Sequence, residues 1–213
     1  MKKGVGRDAT IDRQGRVISR QAPLNSACFF ETTAPPRGGR GIFSRGIVSL
    51  MNHALPPFER LVEQLDAAKA RFRIIKHPAE GSSDAVARIR GTDPGQGAKA
   101  MLCQIKNRPE ILVLAILPGN RRIDFRKVAA AVDGNKASLA SPELARQRTG
   151  CEIGAIPPFV FDTTITLIAE PALFEQFSEI AFNAGRLDTS IVLDSQDYLR
   201  IASPRLIPIA APQ

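Results

Sequence analysis

Lys99 stands where a glycine-rich loop runs into an alternating stretch, and that placement makes it the first candidate for chemistry. Gly91, Gly95 and Gly97, with Pro94 between them, form the loop. Glycines let backbone approach a ligand closely. A lysine ammonium on a strand is a held point charge, suited to a phosphate, a ribose oxygen or an ester carbonyl. From there Lys99, Met101, Cys103 and Ile105 alternate with Ala100, Leu102, Gln104 and Lys106. This period of two predicts a strand whose two faces meet different surroundings. A surface hairpin with a solvated lysine would give the same pattern. Two phosphate motifs fail on their details. A Walker loop places Gly and Lys side by side, then Ser or Thr, at the start of a helix. Here Ala98 separates Gly97 from Lys99, Ala100 stands in the hydroxyl position, and a strand follows. The dinucleotide fingerprint fails too and lacks its third glycine.

Other reactive types are sparse. Cys28, Cys103 and Cys151 have no metal-ligand spacing, and the chain has only two histidines, His53 and His77. This argues against a zinc site, a disulfide framework and a histidine-based triad. Cys103 shares the Lys99 face and could be offered as a nucleophile, but a free cysteine on a strand reads better as core. His77, before Pro78, reads as the end of a strand.

The elements that would hold these residues follow from periodicity. A helix over 56–69 opens on two prolines and presents Phe58, Leu61, Val62, Leu65 and Ala68 as its buried stripe. Residues 72–76 form a strand. A short helix capped at Ser82 or Ser83 carries Ala85, Val86 and Ile89 and stops at Gly91. The unbroken apolar run Ile111–Leu117 predicts a central strand covered on both faces. Further helices fall at 124–132, after Ser141, at 172–177, and after a cap at Ser195. Residues 136–140 and 164–168 are short strands. Residues 179–182 and 190–193 pair around a loop from Asn183 to Asp188. The tail after Pro204 reads as loose. Without a strict βαβ rhythm, the expected class is α+β around a mixed, curved sheet.

The 213 residues carry a net charge of +8, but nine basic and three acidic residues fall within 1–50, a net of +6. The rest, with 20 basic and 18 acidic residues, is nearly balanced, so its bulk charge speaks neither for nor against nucleic acid. Residues 1–50 show no lasting apolar period and read as a disordered basic extension, or as sequence ahead of a start at Met51. Arg37–Gly41 could touch RNA electrostatically; a tail without function accounts for it equally well. Residues 51–213 read as the folded domain. No stretch reaches the roughly 18 apolar residues of a membrane span, and no secretory signal is evident, so a cytoplasmic protein is expected.

Several separated stretches, taken in order, carry a resemblance: Phe72–His77, Ile89–Thr92, Gly97–Ala100, Leu117–Asp124, Leu139–Leu144, Thr149–Pro158 and Phe182–Gly185. Together they resemble the YbaK/ProX family of trans-editing aminoacyl-tRNA deacylases, itself similar to the editing insertion domain of bacterial prolyl-tRNA synthetases. The forms at Gly95–Ala100 and Gly154–Phe159 look most like the YeaK-type branch. The resemblance spans about residues 55–203. It implies a mixed, curved, partly barrel-like sheet flanked by helices, one substrate pocket, and no cofactor or metal. The family's strand lysine matches Lys99, and its Gly-x-x-x-Pro motif matches Gly154–Pro158. Where some relatives have asparagine after the lysine, this chain has Ala100. Where some carry a histidine in the late loop, it has none.

On this resemblance the substrate is an amino acid esterified to the 3′ end of a mischarged tRNA, and a synthetase is a possible further partner. Such an ester is already activated, so a placed water and a steadied oxyanion suffice. Lys99 and Gly154 are the expected catalytic residues, with Lys99 anchoring substrate or polarising the carbonyl. Gly154 lets backbone come close; Ala155, Ile156, Pro157 and Pro158 stiffen that wall. Gly97, Thr92, Asp93, Asn183, Asp188 and Thr189 are candidates for the rim, although loop caps and turns explain the polar ones as well. Arg121 and Arg122 could meet phosphates or sit in a solvated turn. A small cavity would select Ser, Thr, Ala or Cys by size. A catalytically silent tRNA- or synthetase-binding module of the same fold is the competing expectation.

Overall fold

The computed structural model describes residues 10–11, 17–18, 55–80 and 82–212. The chain divides into two units, Met1–Val48 and Ser49–Gln213. Of the first, the described part is an antiparallel pair, β1 (Thr10–Ile11) and β2 (Val17–Ile18). The expectations for the basic extension and for Arg37–Gly41 otherwise lie outside the described residues.

In the second unit the expected alternation becomes β4 (Ala98–Ile105), which runs between two apolar cores. Its Ala98 and Leu102 belong to the larger core, and Cys103 and Ile105 to the smaller one, with Met101 packed against it. The next strand, β5 (Arg108–Pro118), divides the same way: Leu112, Leu114 and Ile116 to one core, Val113 and Ala115 to the other. That is why it reads as a continuous apolar run: both faces are covered. With β6 (Ala137–Leu139), β7 (Ile165–Ala169) and β10 (Arg205–Leu206) these strands make a five-stranded sheet, ordered β10-β7-β5-β4-β6. The sheet is mixed, since β7 is parallel to β5 and β10 while β4 is antiparallel to its neighbours.

A second, antiparallel sheet has the order β3 (Phe72–Lys76), β9 (Thr189–Asp194), β8 (Glu179–Arg186). The two sheets are joined by an isolated bridge between Gly97 and Ala181. The fold is therefore α+β as expected, but the strands do not close into a barrel. Among the described residues six helices flank them: α1 (Pro57–Ala67), α2 (Ser83–Arg90), α3 (Phe125–Ala130), α4 (Pro142–Thr149), α5 (Ala172–Gln176) and α6 (Ser195–Ala202). Leu61 and Leu65 of α1 are fully buried, worth about 1.5–3 kcal/mol each against exposure.

Three expectations change. Asn183 does not lie in a loop, because β8 and β9 extend inward until Leu187 and Asp188 alone make the turn. Ser195 is not the cap of α6. Asp194 accepts from the Gln196 and Asp197 amides, while Ser195 Oγ–H donates to the Phe177 carbonyl at 2.7 Å. The tail is not loose. Ile207 N–H donates to Ala169 O, Ile209 is fully buried, and one Glu170 carboxylate oxygen accepts from both the Ile209 and Ala210 amides at 2.7 Å. Prolines at 204, 208 and 212 hid this, since apolar spacing broken by proline carries no period.

Candidate functional site

The loop ahead of β4 is tighter than a flexible entry. Asp93 caps a 3₁₀ turn, Pro94–Gln96, by accepting from the Gly95 amide at 2.6 Å. Gly97 then bridges to Ala181, which fixes where β4 begins. Lys99 pairs in register with Leu117, so its side chain reaches the turn that follows β5. There its ammonium donates to the Arg121 carbonyl at 2.7 Å and the Gly119 carbonyl at 3.2 Å. Burial pulls the Lys99 pKa below the ordinary lysine value, against an opposing pull from Asp84. Loss of water is the cause, and sequence neighbours alone gave no sign of it.

A cavity of about 230 Å³ brings Lys99 and Gly154 together. Gly97, Ile156 and Asn183 also line it, with small apolar walls from Ala98, Ala100 and Ala181. Gly154 takes φ +87°, a conformation that favours glycine. Its carbonyl accepts from Asn183 Nδ2 at 2.9 Å, a contact that ties the Gly154 bend to β8.

The remaining candidates lie elsewhere. The Thr92 hydroxyl faces the Ala87 carbonyl at 3.5 Å, closing the end of α2. The Ala155 carbonyl accepts from the Gly185 amide. The Pro158 carbonyl accepts from the buried Tyr198 hydroxyl at 2.9 Å. Asp188 and Thr189 bond to each other beside the β8–β9 turn. None of these five lines the cavity. Pro157 lines a second, larger cavity of about 520 Å³ that shares Ile156 with the first. Its two arginines are already engaged, Arg148 with Asp162 and Arg60 over the Phe161 ring. Size alone therefore does not make it the reactive site. Arg121 donates to the Ala211 carbonyl at 3.2 Å, and Arg122 stays exposed. Cys103 is fully buried and burial pushes its thiol up to about 12, which leaves it a core residue without a thiolate.

Arg90, at the last position of α2, was not singled out by its sequence. It lines the cavity, donates Nε–H to Ser190 Oγ at 2.8 Å, and donates an Nη2–H to Asn183 Oδ1 at 2.6 Å. Burial pulls its guanidinium down to about 10. His77 backs this group, with Nε2 2.6 Å from Ser190 Oγ and Nδ1 2.7 Å from the Pro78 carbonyl. That carbonyl can only accept, so Nδ1 carries a proton. The Ser190 hydroxyl donates in turn to Asn183 Oδ1 at 3.1 Å.

Among the described residues that line the cavity there is no serine, threonine, cysteine, histidine or acid. The arrangement offers two cationic donors and a fixed glycine bend, which can hold an oxygen-rich group and stabilise negative charge on it.

A family model described as an aminoacyl-tRNA editing domain matches residues 77–201. Over 150 residues the chain is 49% identical to the multifunctional Ser/Thr-tRNA deacylase ProXp-y of Escherichia coli strain K12, covering 70% of this chain and 90% of that protein. It is 24% identical over 122 residues to a proline–tRNA ligase of Geobacillus sp. strain WCH70, covering 57% of this chain and 21% of the ligase. A solved structure described as a candidate trans-editing enzyme for prolyl tRNA synthetase superposes with a TM-score of 0.64 at 20% identity, covering 74% of this chain and 99% of that one.

Proposed function

The chain belongs to the aminoacyl-tRNA editing domain family, and on that premise we propose that it hydrolyses the ester of mischarged aminoacyl-tRNA at the cavity lined by Lys99 and Gly154. Water adds to the ester carbonyl, the bond to the terminal ribose breaks, and the products are a free amino acid and a tRNA with its hydroxyl restored. The observation that carries this reading is the shared cavity itself. Two residues 55 positions apart, one cationic and one a glycine bend, wall the same small space.

Lys99 has three N–H donors and commits two to the Gly119 and Arg121 carbonyls. The third serves a substrate oxygen, with the ammonium already oriented before substrate arrives. Anchoring is favoured over proton abstraction, because an amine whose N–H groups are spent on carbonyls is a donor and not a base. The described residues on the wall include no serine, threonine or cysteine, which supports water as the attacking group. Placement and electrostatics then supply the rate. The alanine walls suit a small aminoacyl group, and the Ser/Thr specificity in the relative's name agrees with that size. A cytoplasmic location goes with this reading, since the substrate is charged tRNA.

Release of labelled amino acid from seryl-, threonyl-, alanyl- and cysteinyl-tRNA panels, with Lys99→Ala alongside, tests the reading. Release from a small-amino-acid panel that falls with Lys99→Ala supports it. Tight binding of charged tRNA with no release would replace the hydrolase by a silent binding module.

A further inference from the structure

We propose that Arg90 is a positioning residue for this hydrolysis: it sets the orientation of the Asn183 amide and, through it, the Gly154 wall of the cavity. The inference rests on the hydrolase reading above and adds a residue to it.

Asn183 and Ser190 face each other across β8 and β9 in register. The Arg90 fork spans that pair, with Nε–H on Ser190 and Nη2–H on Asn183. Asn183 then uses its amide in the opposite direction. Its Nδ2 donates to the Gly154 carbonyl at 2.9 Å and to the Glu80 carbonyl at 3.1 Å. Flipping the amide would aim its N–H groups at the Arg90 Nη2 donor and its oxygen at two carbonyls, so those three contacts would fail and only the Ser190 hydroxyl, which donates to Oδ1 at 3.1 Å, could adapt. Arg90 therefore dictates which end of Asn183 meets Gly154. Gly154 has no side chain to hold its bend, and the Asn183 donation supplies that hold.

The choice of partners is also informative. Among the described residues Arg90 has no carboxylate at ion-pair distance, and both its acceptors are neutral. Arg90 is half-buried, and a guanidinium drawn out of water without a counterion is costly. An aspartate at 183 would give Arg90 an ion pair, but would turn a carboxylate toward the Gly154 and Glu80 carbonyls. The asparagine gives up that ion pair to keep an amide donor facing Gly154.

Single-turnover and steady-state release on the full chain test this, with Arg90→Gln, Asn183→Ala, their double variant and Asn183→Asp. Both single variants are expected to lower kcat by about ten- to a hundredfold, the scale of a misplaced wall, with KM within about twofold. The double variant should lose no more than the worse single. Asn183→Asp should keep its melting temperature within a few degrees, through an ion pair with Arg90, yet lose rate as Asn183→Ala does. Multiplicative losses in the double variant, a raised KM with unchanged kcat, or full rate in Asn183→Asp would each overturn the positioning role. A wild-type chain that releases no amino acid overturns the hydrolase reading itself, and this inference with it. An active wild type with an unaffected Arg90→Gln overturns only the inference.

Discussion

The Lys99 ammonium is bound to the turn that orients it, so replacing it acts on charge and geometry together. Lys99→Ala is expected to lower kcat/KM for ester release by roughly 10²–10³, the usual loss for one pre-oriented donor. Lys99→Arg should recover little, since a planar fork cannot place one terminal nitrogen between two carbonyls. Equal release by wild type and Lys99→Ala would remove the residue from the mechanism. That Lys99 and Gly154 share one cavity was expected from a charge entering an apolar strand and, for Gly154, from the resemblance to the family's Gly-x-x-x-Pro motif. Arg90 was not. An arginine ending a helix before glycine reads as a cation complementing the helix dipole, and its partners lie 93 and 100 positions away.

At the level of elements, the site depends on β8 meeting the start of α1. Gly185 takes φ +79°, and a Cβ there would come within 3.1 Å of Phe58 N and Pro57 Cβ. Gly185→Ala is expected to destabilise by about 1–3 kcal/mol, from the left-handed backbone and the crowded helix entry. Urea titration with an unchanged midpoint would refute this. Tyr198→Phe removes the donor to the Pro158 carbonyl and leaves a buried acceptor unmet. A loss of about 1–3 kcal/mol is expected, seen as a drop of several degrees in melting temperature. Helix and strand positions were readable because capping signals and apolar periods are local. The length of β8 was not, because Asn183, Gly185 and Asp188 carry loop composition. What overrides that composition is pairing with β9, together with the Asn183 hydrogen bonds that only the folded chain supplies.

For the whole molecule, acid stability has a definite sign. The Asp162 carboxyl is held down to about 2 by the Thr164 hydroxyl, with Arg148 adding to it. A depressed carboxylate contributes stability above its unfolded value, about 3.9, and loses it as pH falls through the folded value. Stability should therefore decline between about pH 4 and pH 2, and Asp162→Asn should flatten that decline in urea titrations across this range. Side-chain exposure of 30% means added salt weakens the effect. Among the described residues, the two cores draw on positions from 58 onward. A chain begun at Met51 is accordingly expected to melt and to release amino acid as the full chain does; loss of either would assign the first fifty residues a structural part.

Glu170 is 8% exposed, and its grip on the Ile209 and Ala210 amides has a consequence for the far end of the chain. Shortening from the C-terminus meets a cliff, not a slope. Deleting the last three residues leaves that carboxylate answered by both amides. Deleting two more strips both amides from it at once, and a nearly buried carboxylate left without those donors must pull the sheet edge open to water.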